Sequence, residues 1–198
     1  ALLVTSGGPG EGKSTTVVNL GISVAREGKH VVLVDADIRR PRLHTYFGLR
    51  NDHGLVEYLL DGAPLDEVLQ PTAVEGLQIV TSGRPFHDPG QLIESEEIGQ
   101  LIAALKRRGH MVILDSAPVL VKSDALVLAR HTDDCLVVLE SGKTTKKAVH
   151  EVLNLMARAG ISPLGFVLNR VPIQKGTHVF QQYYAGHYGP EFSPGGGV

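Results

Sequence analysis

Six short, mostly apolar runs punctuate the chain, at residues 2–5, 30–34, 77–80, 111–114, 136–139 and 164–168. Each is too short for a helix and apolar at neighbouring positions, so both faces of an extended segment ask for burial, as in strands inside a parallel sheet. Between the runs the period changes to that of a helix: Val17, Leu20, Gly21, Val24 and Ala25 make one stripe, Ile98, Leu101, Ile102 and Leu105 a second, Val149, Val152, Leu153 and Met156 a third. Gly28, Gly109 and Gly160 follow these stripes where a helix C-terminus needs a left-handed residue, and Lys106, Arg107 and Arg108 fill the last turn of one of them. Strand and helix therefore alternate. With right-handed crossovers this predicts an α/β fold, a doubly wound, mostly parallel sheet with helices on both faces, whose ligand sits beyond the carboxyl ends of the strands. From about Gln174 the apolar periodicity stops and Gly, His, Gln, Tyr and Pro take over. The expected organisation is one domain over 1–173 and a flexible tail over 174–198.

The chemistry begins directly after the first run. Gly7-Gly8-Pro9-Gly10-Glu11-Gly12-Lys13-Ser14-Thr15 fits G-x-x-x-x-G-K-[ST], a phosphate-binding loop, with a strand before it and an amphipathic helix after it. Residues without side chains let backbone N–H groups converge on phosphate oxygens, and the helix adds the positive end of its dipole. Lys13 is placed to reach the outer phosphates and Ser14 to offer its hydroxyl to magnesium. The second strand run ends in Asp35-Ala36-Asp37, whose two acids point the same way on an extended chain, and the fourth ends in Asp115. Ser14, Asp37 and Asp115 suffice for magnesium, which keeps most of its waters and takes few protein carboxylates. Each acid alone also suits a helix cap or a turn. A dinucleotide site is disfavoured, because G-x-G-x-x-G needs glycine where Lys13 stands.

Composition narrows the remaining classes. At 198 residues and 21.2 kDa the chain suits a single core. A net charge of -2 offers no general attraction to nucleic acid or anionic lipid, so no nucleic-acid partner is expected. The lone Cys135 lies in an apolar run and reads as a buried thiol of a reducing compartment. No apolar stretch reaches membrane-spanning length and no signal peptide pattern opens the chain, so the domain is expected to be soluble. Ala1 already belongs to a strand run, which suggests a piece excised from a longer protein. The nine histidines show no H-E-x-x-H spacing, and there is no G-x-S-x-G elbow.

The phosphate loop, Asp35-Ala36-Asp37-Ile38-Arg39-Arg40-Pro41-Arg42-Leu43 and the apolar run closing on Asp115, in that order, resemble the bacterial tyrosine kinase family. Pro89-Gly90-Gln91-Leu92-Ile93 and Val167-Leu168-Asn169-Arg170-Val171 extend the resemblance over nearly the whole chain. It implies a P-loop NTPase fold, ATP and Mg2+ as cofactors, and transfer of phosphate to tyrosine. The nucleotide contacts it implies are Gly8, Pro9, Gly10, Glu11, Gly12, Lys13, Ser14 and Thr15, with Asn169 and Arg170 on the base side. Asn169 reads equally as a turn residue after a strand. Lys13, Asp35 and Asp37 are the implied catalytic residues, with Asp35 as the base. An ordinary aspartate lies about six pKa units below tyrosine, roughly 8 kcal/mol against ground-state deprotonation, so such a base takes the proton late. The implied acceptors are Tyr183, Tyr184 and Tyr188, and Tyr183, thirteen residues beyond Arg170, reaches roughly 40 Å on an extended tail, enough to enter a sister subunit. Arg39, Arg40 and Arg42 form a local basic patch, either plain solvated surface or a guide for an acidic or partly phosphorylated tail. Further implications are a homo-oligomer, a membrane-embedded polysaccharide co-polymerase or activator as partner, work at the cytoplasmic face of the membrane, and control of capsule or exopolysaccharide production. Two departures stand out. Gly8 occupies the position of the second loop lysine of Min and Par ATPases, and Ala117 breaks a pair of prolines common in the family. A Min or Par type switch, or a regulator that binds nucleotide without turnover, are the competing readings.

Overall fold

The computed structural model describes residues 1–172. Seven strands, β1 (Leu2–Ser6), β2 (Val31–Asp35), β3 (Leu69–Pro71), β4 (Leu77–Val80), β5 (Met111–Asp115), β6 (Asp134–Glu140) and β7 (Gly165–Asn169), form one sheet in the order β3-β4-β2-β5-β1-β6-β7. All pairings are parallel except that of β3 with β4. The six predicted strands are all present. The antiparallel β3, a three-residue edge segment ending in proline, escaped the apolar pattern because only Leu69 in it is apolar.

Alternation along the strands divides the core in two. Leu3, Val32, Val34, Val112, Leu114 and Val137 face one side, where they meet α6 (Glu96–Arg107) through Ile98, Leu101, Ile102 and Leu105, and α8 (Lys146–Arg158) through Val152 and Met156. Leu2, Val4, Val31, Leu33, Ile113 and Val138 face the other, against Val17, Val18 and Ala25 of α1 (Lys13–Arg26) and Leu43 of α2 (Leu43–Phe47). Both faces are covered, as the continuous apolar runs require. Shorter helices α3 (Leu55–Asp61), α4 (Leu65–Val68), α5 (Pro89–Ile93) and α7 (Asp124–Ala129) complete the layer on the first face. They are too short to show a period in the sequence.

The glycine stops stand where expected. Gly28, Gly109 and Gly160 have φ of 79°, 84° and 73°, and the residues after them return N–H bonds to Val24, Leu105 and Met156. Cys135 is buried, and desolvation pushes its thiol up to about 12, so it behaves as a small core residue. One expectation is corrected: β7 is not buried on both faces. It is an edge strand, and Phe166 and Leu168 are 44% and 58% exposed while Val167 packs inward. No helix among the described residues is long and apolar enough to cross a membrane.

Candidate active site

The chain leaves β1 in one direction toward β2 and β4 and returns through β5 to run the other way into β6 and β7, which puts the turn after β1 at the point where the strand order reverses. That turn is the glycine loop. Gly10 and Gly12 have φ of 79° and 99°, a conformation side chains resist, and α1 starts immediately after Gly12. The Thr16 N–H and hydroxyl both bond the Gly12 carbonyl at 2.9 Å, leaving the N–H groups of the first helical turn without intrahelical partners. They and the dipole make an anion site.

The loop is braced from within. Glu11, buried, accepts the Gly8 N–H at 3.0 Å and the Thr144 hydroxyl, and its carbonyl accepts Asn169 Nδ2 at 3.0 Å. A methyl group on Gly12 would stand 2.0 Å from that amide nitrogen, so the glycine is required by close approach as well as by φ. The Asn169 Oδ1 accepts the Arg170 N–H at 2.9 Å. Asn169 thus grips the loop, and Arg170, with φ 55°, turns toward the cleft and pairs with Glu140 at 2.8 Å.

A cleft of about 610 Å³ opens over this loop. Pro9, Gly10, Gly12, Lys13, Ser14 and Thr15 line one side, Asp37, Arg40, Arg42, Thr45 and Tyr46 another, and Pro118 and Arg170 the rest. Of the nucleotide contacts expected from sequence, Gly8, Glu11 and Asn169 do not line the cleft; they support the residues that do. Tyr46 and Thr144 were missed. Tyr46 sits on a five-residue helix and bonds Thr15 Oγ1 at 2.8 Å, and nothing in the local sequence ties either residue to the loop. The basic patch is split. Arg39 turns to the buried Asp124 at 3.1 Å, while Arg40 and Arg42 remain on the cleft.

The acids stand at strand ends. Asp35 and Asp115 are register partners on β2 and β5, both fully buried and, against expectation, not among the residues that line the cleft; of the three acids only Asp37, with 9% exposure, reaches it. Asp35 Oδ2 accepts the Arg42 and Leu43 N–H groups, each at 2.9 Å, and Asp37 Oδ1 accepts the Arg40 N–H at 3.2 Å. Asp35 Oδ1 and both oxygens of Asp115 are buried without a close hydrogen-bond partner, although the Ser14 hydroxyl stands near enough to Asp115 to pull its proton affinity down against the effect of burial. Burial pushes Asp115 up to about 6 and Asp35 well above the usual carboxylate range, the latter reinforced by the neighbouring Asp115. Asp37 is raised by burial too, against the pull of the Lys13 ammonium. Buried carboxyl oxygens without partners are costly in isolation and fit a bound cation. The donors are oxygen only, which suits Mg2+ rather than a soft metal. Among the described residues no three acidic, imidazole or thiol groups converge into a ready metal cage, and Mg2+ in phosphate sites needs none.

A seven-stranded, mostly parallel sheet with a phosphate loop at its switch point and acids on the adjoining strand ends defines a P-loop nucleotide-binding protein. Residues 2–192 match the CobQ/CobB/MinD/ParA nucleotide binding domain, and the chain belongs to that family. Within it the chain is a bacterial tyrosine-protein kinase homologue: it is 35% identical over 184 residues to the Bacillus subtilis tyrosine-protein kinase YwqD, covering 93% of this chain and 77% of the relative. The kinase domain of the Escherichia coli tyrosine kinase ETK superposes with a TM-score of 0.84 at 31% identity, over 89% of this chain and 69% of that one. The septum site-determining protein MinD of Pyrococcus horikoshii OT3, solved with Mg-ADP, shares the fold at a TM-score of 0.72 and 22% identity, over 91% and 75% of the two chains.

Proposed function

We propose that this tyrosine kinase uses Mg-ATP to phosphorylate the tyrosines of its own C-terminal cluster, in trans, and thereby governs capsule or exopolysaccharide assembly with a membrane-embedded co-polymerase or activator at the cytoplasmic face of the membrane. The observation that carries the chemistry is the pairing of an anion-binding loop with buried acids that keep free carboxyl oxygens and raised proton affinities at the same strand ends.

The N–H groups of the loop and the first turn of α1 hold the phosphates, and Lys13, 7% exposed, neutralises charge as the β,γ-bridging bond breaks. Ser14, Asp37 and Asp115 would hold magnesium, which when bound supplies charge neutralisation on the phosphate oxygens. Asp35 orients the tyrosine hydroxyl. As the new O–P bond forms and ADP leaves, the phenolic proton passes to Asp35 Oδ1, the oxygen without a partner. Its raised proton affinity narrows the mismatch with tyrosine that an ordinary aspartate carries. Arg170 stands on the base side and Asn169 fixes the loop. The acceptors Tyr183, Tyr184 and Tyr188 lie outside the described residues, as does the proposed tail 174–198.

The test compares the intact chain, Lys13→Met and a chain ending at Phe180 for phosphotyrosine after incubation with Mg-ATP. Label in the intact chain alone supports the reading. Label persisting without the tail assigns the acceptors elsewhere, and ATP hydrolysis without any phosphotyrosine favours a Min or Par type switch, a reading the Gly8 position already disfavours.

A further inference from the structure

Arg40 and Arg42 differ from most arginines near the strand ends. Arg39 is neutralised by Asp124, Arg84 by Glu57 and Asp61, and Arg170 by Glu140, whereas the guanidinium groups of Arg40 and Arg42 pair with no carboxylate among the described residues. Both are exposed, and both line the cleft beside Asp37. Their backbones are pinned by the site itself, since the Arg40 N–H bonds Asp37 and the Arg42 N–H bonds Asp35. The two acids of the reaction therefore fix the backbone from which the two forks project into the cleft. An arginine pair with this placement suits a dianionic group that arrives beside the reacting hydroxyl.

The tail has no such group until it is modified. Between residues 171 and 190 there is no Asp or Glu, Lys175 is the one formal charge, and Tyr183, Tyr184 and Tyr188 are the acceptors of the kinase reading on which this inference rests. An unmodified tail offers nothing to the arginines, and Lys175 is weakly repelled. One phosphate on one tyrosine adds a charge of about -1.5 to -2 and three acceptor oxygens. Tyr184 and Tyr188 are four positions apart, at most about 14 Å of extended chain, so one can occupy a rim subsite while its neighbour enters the cleft.

We propose that Arg40 and Arg42 form a phosphotyrosine subsite, so that the first transfer is slow and each singly phosphorylated tail is a better substrate than an unmodified one. The subsite reads the product of the enzyme's own reaction, and phosphorylation of the cluster accelerates after its first event until mutual repulsion of the phosphates limits it.

The test uses the full chain, Mg-ATP and two synthetic acceptors that span residues 179–190, one unmodified and one with phosphate on the tyrosine at 188. Transfer to the first two tyrosines is followed by mass spectrometry. The expected kcat/KM is about tenfold higher for the phosphorylated peptide. The ratio falls to about one in Arg40→Ala/Arg42→Ala and to an intermediate value in Arg40→Lys/Arg42→Lys, where charge remains but the fork is lost. Raising salt from about 0.05 to about 0.5 M screens the exposed guanidinium groups and shrinks the ratio in the unmutated chain. Equal rates on both peptides, or a preference that survives Arg40→Ala/Arg42→Ala, overturn the subsite and leave the kinase reading intact. Absence of phosphotyrosine on both peptides and on the chain's own tyrosines overturns the kinase reading and the subsite with it.

Discussion

Asp115 offers a quantitative check on the idea that the strand ends wait for a cation. Without metal, burial holds its carboxyl at about 6 against a reference value of 3.8, so ionising it in the folded state costs about 3 kcal/mol more than in the unfolded chain. The folded protein binds the proton more tightly, so this contribution to stability is fully present below about pH 4 and is lost as pH rises through about 6. In Asp115→Asn no proton can be exchanged. The difference in unfolding free energy between the chain and this variant, measured by urea in EDTA at pH 4.5 to 7.5, should therefore drift by about 2 to 3 kcal/mol toward the variant with rising pH. Taking the difference cancels groups away from the site, such as Asp133, which its partners Lys106 and the N-terminus hold down at about 2. Asp35 does not cancel, because losing the Asp115 charge lowers its raised proton affinity and adds to the tilt in the same direction. The Asn amide adds a constant offset of about 1 to 3 kcal/mol from its own unpartnered polar atoms, which shifts the curve without tilting it. Saturating Mg-ADP should remove the tilt in the unmutated chain. A difference that stays flat across this pH range would refute the reasoning.

Other variants separate the parts of the site. Lys13→Met should lower phosphotyrosine formation by at least about a hundredfold while the far-ultraviolet spectrum is unchanged, because the ammonium acts on phosphate charge rather than on the core. Gly12→Ala should destabilise the fold by about 2 to 4 kcal/mol and weaken nucleotide binding by titration calorimetry, since φ is 99° and the new methyl group meets Asn169 at 2.0 Å; Gly28→Ala, with φ 79° and open space, should cost only about 1 kcal/mol. Arg39→Ala leaves Asp124 buried beside Asp37 without its cation, and the partly exposed pair sets the cost at about 1 to 3 kcal/mol by urea unfolding, with Arg39→Ala/Asp124→Asn recovering part of it.

The parts of this protein legible in the sequence are those in which one physical demand repeats. Strands buried on two faces must be apolar at successive positions, so β1, β2, β4, β5 and β6 announce themselves, and helices of twelve or more residues such as α6 show three turns of the same stripe. The phosphate loop was legible because glycines at φ of 79° and 99° and a lysine at the helix start answer one ligand at fixed spacing. The rest depends on contacts distant in sequence. Thr144 bonds Glu11 across 133 positions and Asn169 bonds the same residue across 158, and neither leaves a local trace. Arg39, Arg40 and Arg42 look alike in the chain, yet Asp124, 85 positions from Arg39, takes one of them out of the cleft. Edge exposure was equally invisible, since the composition of β7 matches that of interior strands.

The loop is braced by contacts within the chain. The Gly8 N–H is taken by Glu11, and Glu11 is in turn fixed by Thr144. The loop is held in shape by the chain's own carboxylate, which lowers the ordering cost of binding a phosphate. The same economy does not extend to the acids. Asp35 and Asp115 are left with partnerless oxygens and raised proton affinities. On the kinase reading proposed above, a triphosphate without metal brings more negative charge against Asp37 and Asp115, and a metal without phosphate finds few ligands, so the expected outcome of calorimetric titration is that each ligand binds more tightly when the other is present.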